Sequence, residues 1–414
     1  MTWHMTRLGD VVSRFGGSIQ TGPFGSQLHQ HDYVSEGIPV VMPKDIADGK
    51  VDVEGVARVG ANKALELARH QLQQGDIVFP RRGDIRKCAL TTDAMAGFLC
   101  GTGCLKIRVS ADAFDPRFLH YFLGTEEVGS WLEGRAVGTT MLNLNAAIVA
   151  DLRVPDVPLA VQASVVSVLS DYDDLIDNNC RRIKLLDDSV RLLFDEWFLR
   201  REGVARQAGL SASWTTSTLQ QLCVPNGGIQ TGPFGSQLHQ SDYTDEGVPV
   251  VMPKDLATLR ISLESIARIP ASLADELGRH RMRRGDIVFG RRGEIGRRAY
   301  IGTRQTGYFC GTGCLRLRAD PARINPRLLF DMLGSPVVAG AIANRAKGST
   351  MANLSAGALQ SVEMPVPPRP LQDQFTEHAE AASELIDVLE EQSRKLQSAR
   401  DLLLPRLMSG ALVV

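Results

Sequence analysis

A chain of 414 residues is too long for one ordinary core and points to two or more domains. Its formal net charge of −1 excludes a uniformly basic nucleic-acid binder, but the charge is uneven: Trp214–Pro365 carries 18 Lys+Arg against 12 Asp+Glu, and Met1–Val157 carries 16 against 18. Seven cysteines do not make a disulfide framework, no apolar run approaches the roughly 18 residues of a membrane span, and MTWHMTRLGD lacks an apolar signal core, so a soluble protein of a reducing cytoplasm is expected.

The chain is written twice. Residues 19–45 and 229–255, at an offset of 210, agree at 23 of 27 positions, including IQTGPFGSQLHQ and VVMPKD. The same offset pairs GDIVF at 75–79 with 285–289, RRG at 81–83 with 291–293 and CGTGC at 100–104 with 310–314. It also pairs GTTMLNL at 138–144 with GSTMANL at 348–354. A period this long makes each copy a whole domain with an appendage.

Taken in order, the early part of each copy reads as strand-rich. Asp76–Phe79 is β-prone, and Leu105, Ile107 and Val109 alternate with Lys106 and Arg108 as in a half-buried strand, with Leu315 and Leu317 doing the same among arginines. Short helices are expected around Lys63–Gln71 and Pro116–Gly124. After the prolines of 154–158 the period changes. Val165, Leu169, Tyr172, Ile176, Asn179, Ile183, Leu186, Val190, Leu193 and Trp197 alternate steps of 4 and 3, a heptad seam with Asn179 as its register-setting polar member. A second seam follows 365–368: Phe375, Ala379, Ala382, Ile386, Leu389, Ser393, Leu396, Arg400, Leu403 and Leu407, interrupted by Ser393 and Arg400. Helices of about 40 residues are about 60 Å long, too long to bury their seams on their own domains. They are expected to pair with each other, antiparallel, with a pseudo-two-fold axis relating the two copies. The fold class is α+β: globular domains at 1–157 and 214–367, long helices at 158–201 and 368–410, and a linker at 202–213.

Two variable-type domains alternating with two long helices, each helix introduced by prolines, resemble the specificity (S) subunit of type I restriction–modification systems. QTGPFGSQL, PKD, GDIVFPRRG, CGTGCL and GTTMLNL carry the likeness over essentially the whole chain. The resemblance implies target-recognition domains that each read half of a split double-stranded DNA site, and helices that fix the spacing and dock two methyltransferase (M) subunits. It further implies restriction/translocase (R) subunits, with S-adenosylmethionine, ATP and Mg on the partners and no cofactor or catalytic group in this chain. The family's Pro-Pro-Leu-x-Glu-Gln before the helices is VPLAVQ at 157–162 and PPRPLQ at 367–372 here, so the glutamines remain and the acid does not.

The candidate DNA contacts follow from residue chemistry. Glycine lets backbone approach a phosphate, glutamine pairs with adenine edges, and hydroxyls and imidazoles serve either. These choices single out Gln20, Thr21, Gly22, Gly25, Ser26, Gln27 and His29, with Gln230, Thr231, Gly232, Gly235, Ser236, Gln237 and His239. The alternative is a tight turn, and Phe24 and Phe234 read as packing residues. Arg81 and Arg82, and Arg291 and Arg292, suit phosphates or guanines, with at most one of each pair facing bases. Arg86, Lys87, Arg297 and Arg298 could extend that footprint. Thr139 and Asn143, with Ser349 and Asn353, read as a DNA-facing loop or a capped turn, and Lys44 and Lys254 as phosphate contacts or local ion pairs with the following Asp. C-x3-C is poor zinc spacing, and buried thiols are the reading adopted. No phosphate-binding loop, amino-methyltransferase string or paired-carboxylate nuclease cluster is found. A stand-alone DNA-binding regulator or a coiled-coil adaptor remains the alternative.

Overall fold

A computed structural model describes residues 3–47, 49–136, 142–200, 214–234, 237–257, 259–292, 294–346 and 353–414. The chain divides into two compact units, one formed by Met1–Asp177 with Ser393–Val414 and the other by Asn178–Gln392. The divisions fall inside the two long helices, Leu159–Phe194 (continued by a π-helical turn, Asp195–Leu199) and Arg369–Met408.

The first unit is mixed α/β. Ser18–Thr21, Cys104–Arg108, Ile77–Pro80 and Ala89–Leu90 form an antiparallel sheet in that order. A second sheet runs Leu99–Cys100, Ile38–Val41, Ala57–Val59, Tyr33–Val34, its first pair parallel and the rest antiparallel. The expected short helices are Ala61–Glu66, followed by a 3-10 turn, and Pro116–Leu123. Asp115 caps the latter through the Arg117 amide, and proline takes the first helical position, where no amide hydrogen is needed.

The second unit repeats the first sheet with Ile229–Thr231, Cys314–Arg318, Asp286–Gly290 and Arg298–Tyr300, and the second with Ala267–Ile269, Val248–Val251 and Phe309–Cys310.

The strand Cys104–Arg108 corrects the half-buried expectation. Leu105 and Ile107 face a core with Leu8, Phe118, Val165 and Leu169, while Cys104 on the other face joins Val41, Val78 and Cys100. Lys106 is therefore buried, its Nζ donating to the Gln71 carbonyl at 2.6 Å. Arg108 grips buried Asp76 with two hydrogen bonds of 2.6 Å, and Arg318 grips Asp286 at 2.7 Å twice. Charge alternation here marks internal ion pairs, where a buried carboxylate is tolerated because each oxygen is satisfied.

Within each unit the helical segments run antiparallel. In the second, Phe198 meets Phe375 edge-on at 5.2 Å, while Asn179 Nδ2 donates to Gln392 Oε1 at 3.4 Å. In the first, Val165, Leu169 and Leu407 share a core, and Arg400 donates to Asp173 at 2.6 Å, which explains a charged residue in the seam. Each helix is pinned to its domain by a buried glutamine. Gln162 accepts from the Asp115 amide (2.8 Å) and donates to the Val157 carbonyl (2.9 Å); Gln372 accepts from the Asn325 amide (2.9 Å) and donates to the Pro367 carbonyl (2.8 Å). Among the described residues no single helix is long and apolar enough to cross a membrane.

Candidate nucleic-acid interface

The duplicated QTGPFG and CGTGC strings are two sides of one joint. Gly22 N donates to the Cys104 carbonyl at 2.9 Å and Thr102 Oγ1 to the Pro23 carbonyl at 3.1 Å; Gly232 and Thr312 repeat this at 3.0 and 3.1 Å. A Cβ on Gly22 would lie 2.0 Å from the Gly101 carbonyl oxygen, and one on Gly232 would lie 1.9 Å from that of Gly311. Gly22 and Gly232 are buried, so backbone crowding inside the domain, rather than approach to a phosphate, requires glycine there. That corrects the expectation for these two positions.

Beyond the joint the chain turns outward. Phe24 is 55% exposed and Phe234 59%, which corrects their reading as packing residues. The turn is closed by Gln27, whose amide donates to the Phe24 carbonyl (2.8 Å) and whose Oε1 accepts from the Phe24 amide (3.2 Å). The Gln237 amide likewise donates to the Phe234 carbonyl at 2.8 Å, but its Oε1 accepts from Arg279 at 3.0 Å. Gly25, Ser26, His29 and His239 are exposed, and the His29 ring stacks on His31 at 5.3 Å. Gln20, Thr21, Gln230 and Thr231 are half-buried on their strands; Gln230 Oε1 accepts from the buried Arg316 guanidinium at 3.0 Å.

Behind these loops lie His70 and His280, both buried. Burial first, then the neighbouring Arg69 and Lys106 or Arg279 and Arg316, pushes each imidazole down to about 4.

The arginine pairs follow the strands Ile77–Pro80 and Asp286–Gly290, and one member of each is half-buried while the other is exposed. Arg81 Nε donates to Asn143 Oδ1 at 3.3 Å, and its guanidinium lies 5.6 Å from the Phe24 ring centroid. Arg291 donates to Asn353 Oδ1 at 3.3 Å, and burial followed by the charge of Arg292 lowers its pKa. The amides of Leu144 and Leu354 donate to the carbonyls of Arg81 and Arg291 at 2.8 and 2.9 Å. Three separate motifs, represented by Phe24, Arg81 and Asn143, thus meet in the first unit, with the exposed Arg82 beside them. In the second unit Arg291, Arg292 and Asn353 repeat the arginine–asparagine junction.

Other candidates stand apart in character. Lys44 and Lys254 are exposed, each 3.9 Å from Asp45 or Asp255, and those carboxylates cap the amides of Met42 and Met252 at 2.8 Å. The four cations expected to extend the basic footprint each have a partner within their own unit. Arg86 bridges Glu126 and Glu133, Lys87 reaches Asp84, Arg297 pairs with Glu294, and Arg298 donates to the Phe330 carbonyl beneath the surface. Thr139, Gly235, Ser236 and Ser349 lie outside the described residues. Sequence reasoning missed Arg279, whose only signal is its place 42 residues beyond the glutamine it holds.

Cys100, Cys104, Cys310 and Cys314 are buried free thiols pushed up by burial, and among the described residues no group of three His, Cys, Asp or Glu is placed to hold a metal.

Against this geometry, residues 2–187 match the family described as the type I restriction modification DNA specificity domain. The type I restriction enzyme MjaIX specificity subunit of Methanocaldococcus jannaschii is 22% identical over 426 residues, covering 100% of this chain and 94% of that protein. The MjaVIII specificity subunit of the same organism is 20% identical over 332 residues, covering 77% and 75%. The crystal structure of the type I restriction–modification S subunit from M. genitalium has the same fold, with a TM-score of 0.60, 16% identity and coverage of 99% and 96%. The first half of the chain thus matches a domain described by DNA specificity, and the fold is that of a solved S subunit. Residues 2–187 carry this family's domain, and the chain as a whole is similar in sequence and fold to type I restriction–modification specificity subunits.

Proposed function

We propose that each unit reads one half of a split double-stranded DNA target. The contacts assigned to the first unit are Gln20, Thr21, Gly25, Ser26, Gln27, His29, Arg81, Arg82, Thr139 and Asn143. The repeat supplies Gln230, Thr231, Gly235, Ser236, Gln237, His239, Arg291, Arg292, Ser349 and Asn353, with Lys44 and Lys254 as outlying phosphate contacts. The observation that carries this reading is the meeting of the duplicated loop, the arginine pair and the asparagine loop, linked by Phe24, Arg81 and Asn143. Exposed cations supply sequence-independent attraction to phosphates, while Gln27 and Gln237 supply donor and acceptor pairs suited to base edges.

In this reading the long helices set the spacing of the half-sites and dock two methyltransferase subunits that bring S-adenosylmethionine. Restriction/translocase subunits bring ATP and Mg. The constant sequence offset makes the two copies equivalent recognition units. Because 23 of 27 residues in the loop region coincide, the half-sites resemble each other, and the target is nearly palindromic around its spacer.

Co-expression with the partner methyltransferase, followed by mapping of methylated adenine across the host genome, tests the proposal. A split motif with two related halves is expected. A bound partner that produces no sequence-specific methylation would overturn it.

A further inference from the structure

We propose that Phe24 and Phe234 are base-contacting residues, each presenting its ring to the 5-methyl group of a thymine in one half of the target. This rests on the DNA-recognition reading above. Both rings are more than half exposed, 55% and 59%, at the same position of the duplicated loop. Described contacts hold each ring's chain neighbours on both sides. The loop's root is locked by the glycine joint at Gly22 and Gly232, and its turn is closed by the Gln27 and Gln237 amides.

The surroundings of Phe24 distinguish DNA from an apolar protein surface. Its neighbours along the loop are the exposed Ser26 and His29, and above it stands Arg81, followed by the exposed Arg82. A single aromatic ring framed by cations and hydroxyls suits a base edge flanked by phosphates better than a continuous hydrophobic interface. The guanidinium over the ring, 5.6 Å from its centroid, also selects the mode of contact. Insertion between base pairs needs both faces of a ring, whereas contact with a thymine methyl in the major groove needs only one.

The test uses the chain in complex with its methyltransferase and duplexes carrying the mapped target, with each thymine replaced in turn by deoxyuridine, which lacks only the methyl group. One thymine in each half should weaken wild-type binding about fourfold on losing its methyl. The F24A complex should lose that sensitivity in one half and keep it in the other, and F234A should do the reverse. Phe24→Leu, which keeps an apolar side chain, should retain part of it. If F24A and F234A keep full uracil sensitivity in both halves, or shed the methyltransferase while keeping it, the rings belong to another contact and the proposal falls. If the wild-type complex discriminates its target but no thymine is methyl-sensitive, the ring assignment alone fails. If it shows no preference for any mapped target, the DNA reading fails with it.

Discussion

Arg81 Nε donates to Asn143 Oδ1 at 3.3 Å across 62 residues of chain, and in the repeat Arg291 Nη2 donates to Asn353 Oδ1 at the same distance. The pair joins the end of a central strand to the segment that leads toward the long helix. The arginine's reach is thereby fixed by a side chain from a different motif, and its exposed neighbour, Arg82 or Arg292, remains available to a ligand.

Gln27 and Gln237 occupy equivalent positions in different units, so under the proposed function their replacement should separate the two halves of the target. Gln27→Ala should weaken methylation through one half-site and Gln237→Ala through the other, each by about tenfold, the low end of a bidentate base contact. Half-site-resolved methylation rates are the measurement. Equal losses in both halves from either single change would count against the assignment.

Gln162 and Gln372 each satisfy a half-buried amide and a buried carbonyl where a long helix begins. Substitution by alanine strands both groups, and about 3 kcal/mol of stability should be lost from the affected unit. Chemical denaturation would read this directly, and Gln162→Glu, which sets a buried carboxylate oxygen against the Val157 carbonyl, should lose at least as much.

His70 and His280 are held neutral, with folded pKa values of about 4 against an ordinary 6.5. The unfolded chain then binds more protons between those values, so the contribution is intact above pH 6.5 and is lost as pH falls toward 4. Each histidine accounts for about 3 kcal/mol over that window. His70→Asn and His280→Asn should flatten the dependence of unfolding free energy on pH; an unchanged slope would show that the imidazoles escape burial.

Asn179 is a buried amide in an otherwise apolar seam, and its partner Gln392 is exposed enough to be solvated when the bond is lost. Asn179→Val should raise the unfolding free energy by about 1 kcal/mol, because apolar burial replaces a long hydrogen bond. A fall of that size would mean the amide stabilises the pair as well as fixing its register.

The long helices were legible because a heptad seam depends on local spacing alone, and even its Arg400 irregularity resolves into a bond to Asp173. The joint between Gly22 and Gly101 was not legible. Its necessity arises from two backbones meeting across 79 residues, which no local pattern encodes. Lys106 and Arg108 misled for a related reason. A charged residue on alternate strand positions looks the same whether it faces water or a carboxylate such as Asp76, 32 residues before Arg108 in the chain. The exposure of Phe24 and Phe234 was hidden because an aromatic between glycine and proline reads equally well as a plug or a tip.

The first compact unit combines Met1–Asp177 with Ser393–Val414, whereas the second is one continuous stretch. Trp3 Nε1 donates to the Leu407 carbonyl at 3.2 Å, and Leu407 and Met408 complete the first unit's core. During translation, therefore, the last residue of the later-begun unit is added before the first unit's closing segment. The earlier-made one must wait, with Val165 and Leu169 unsheltered, until almost the last turn of helix has been synthesised.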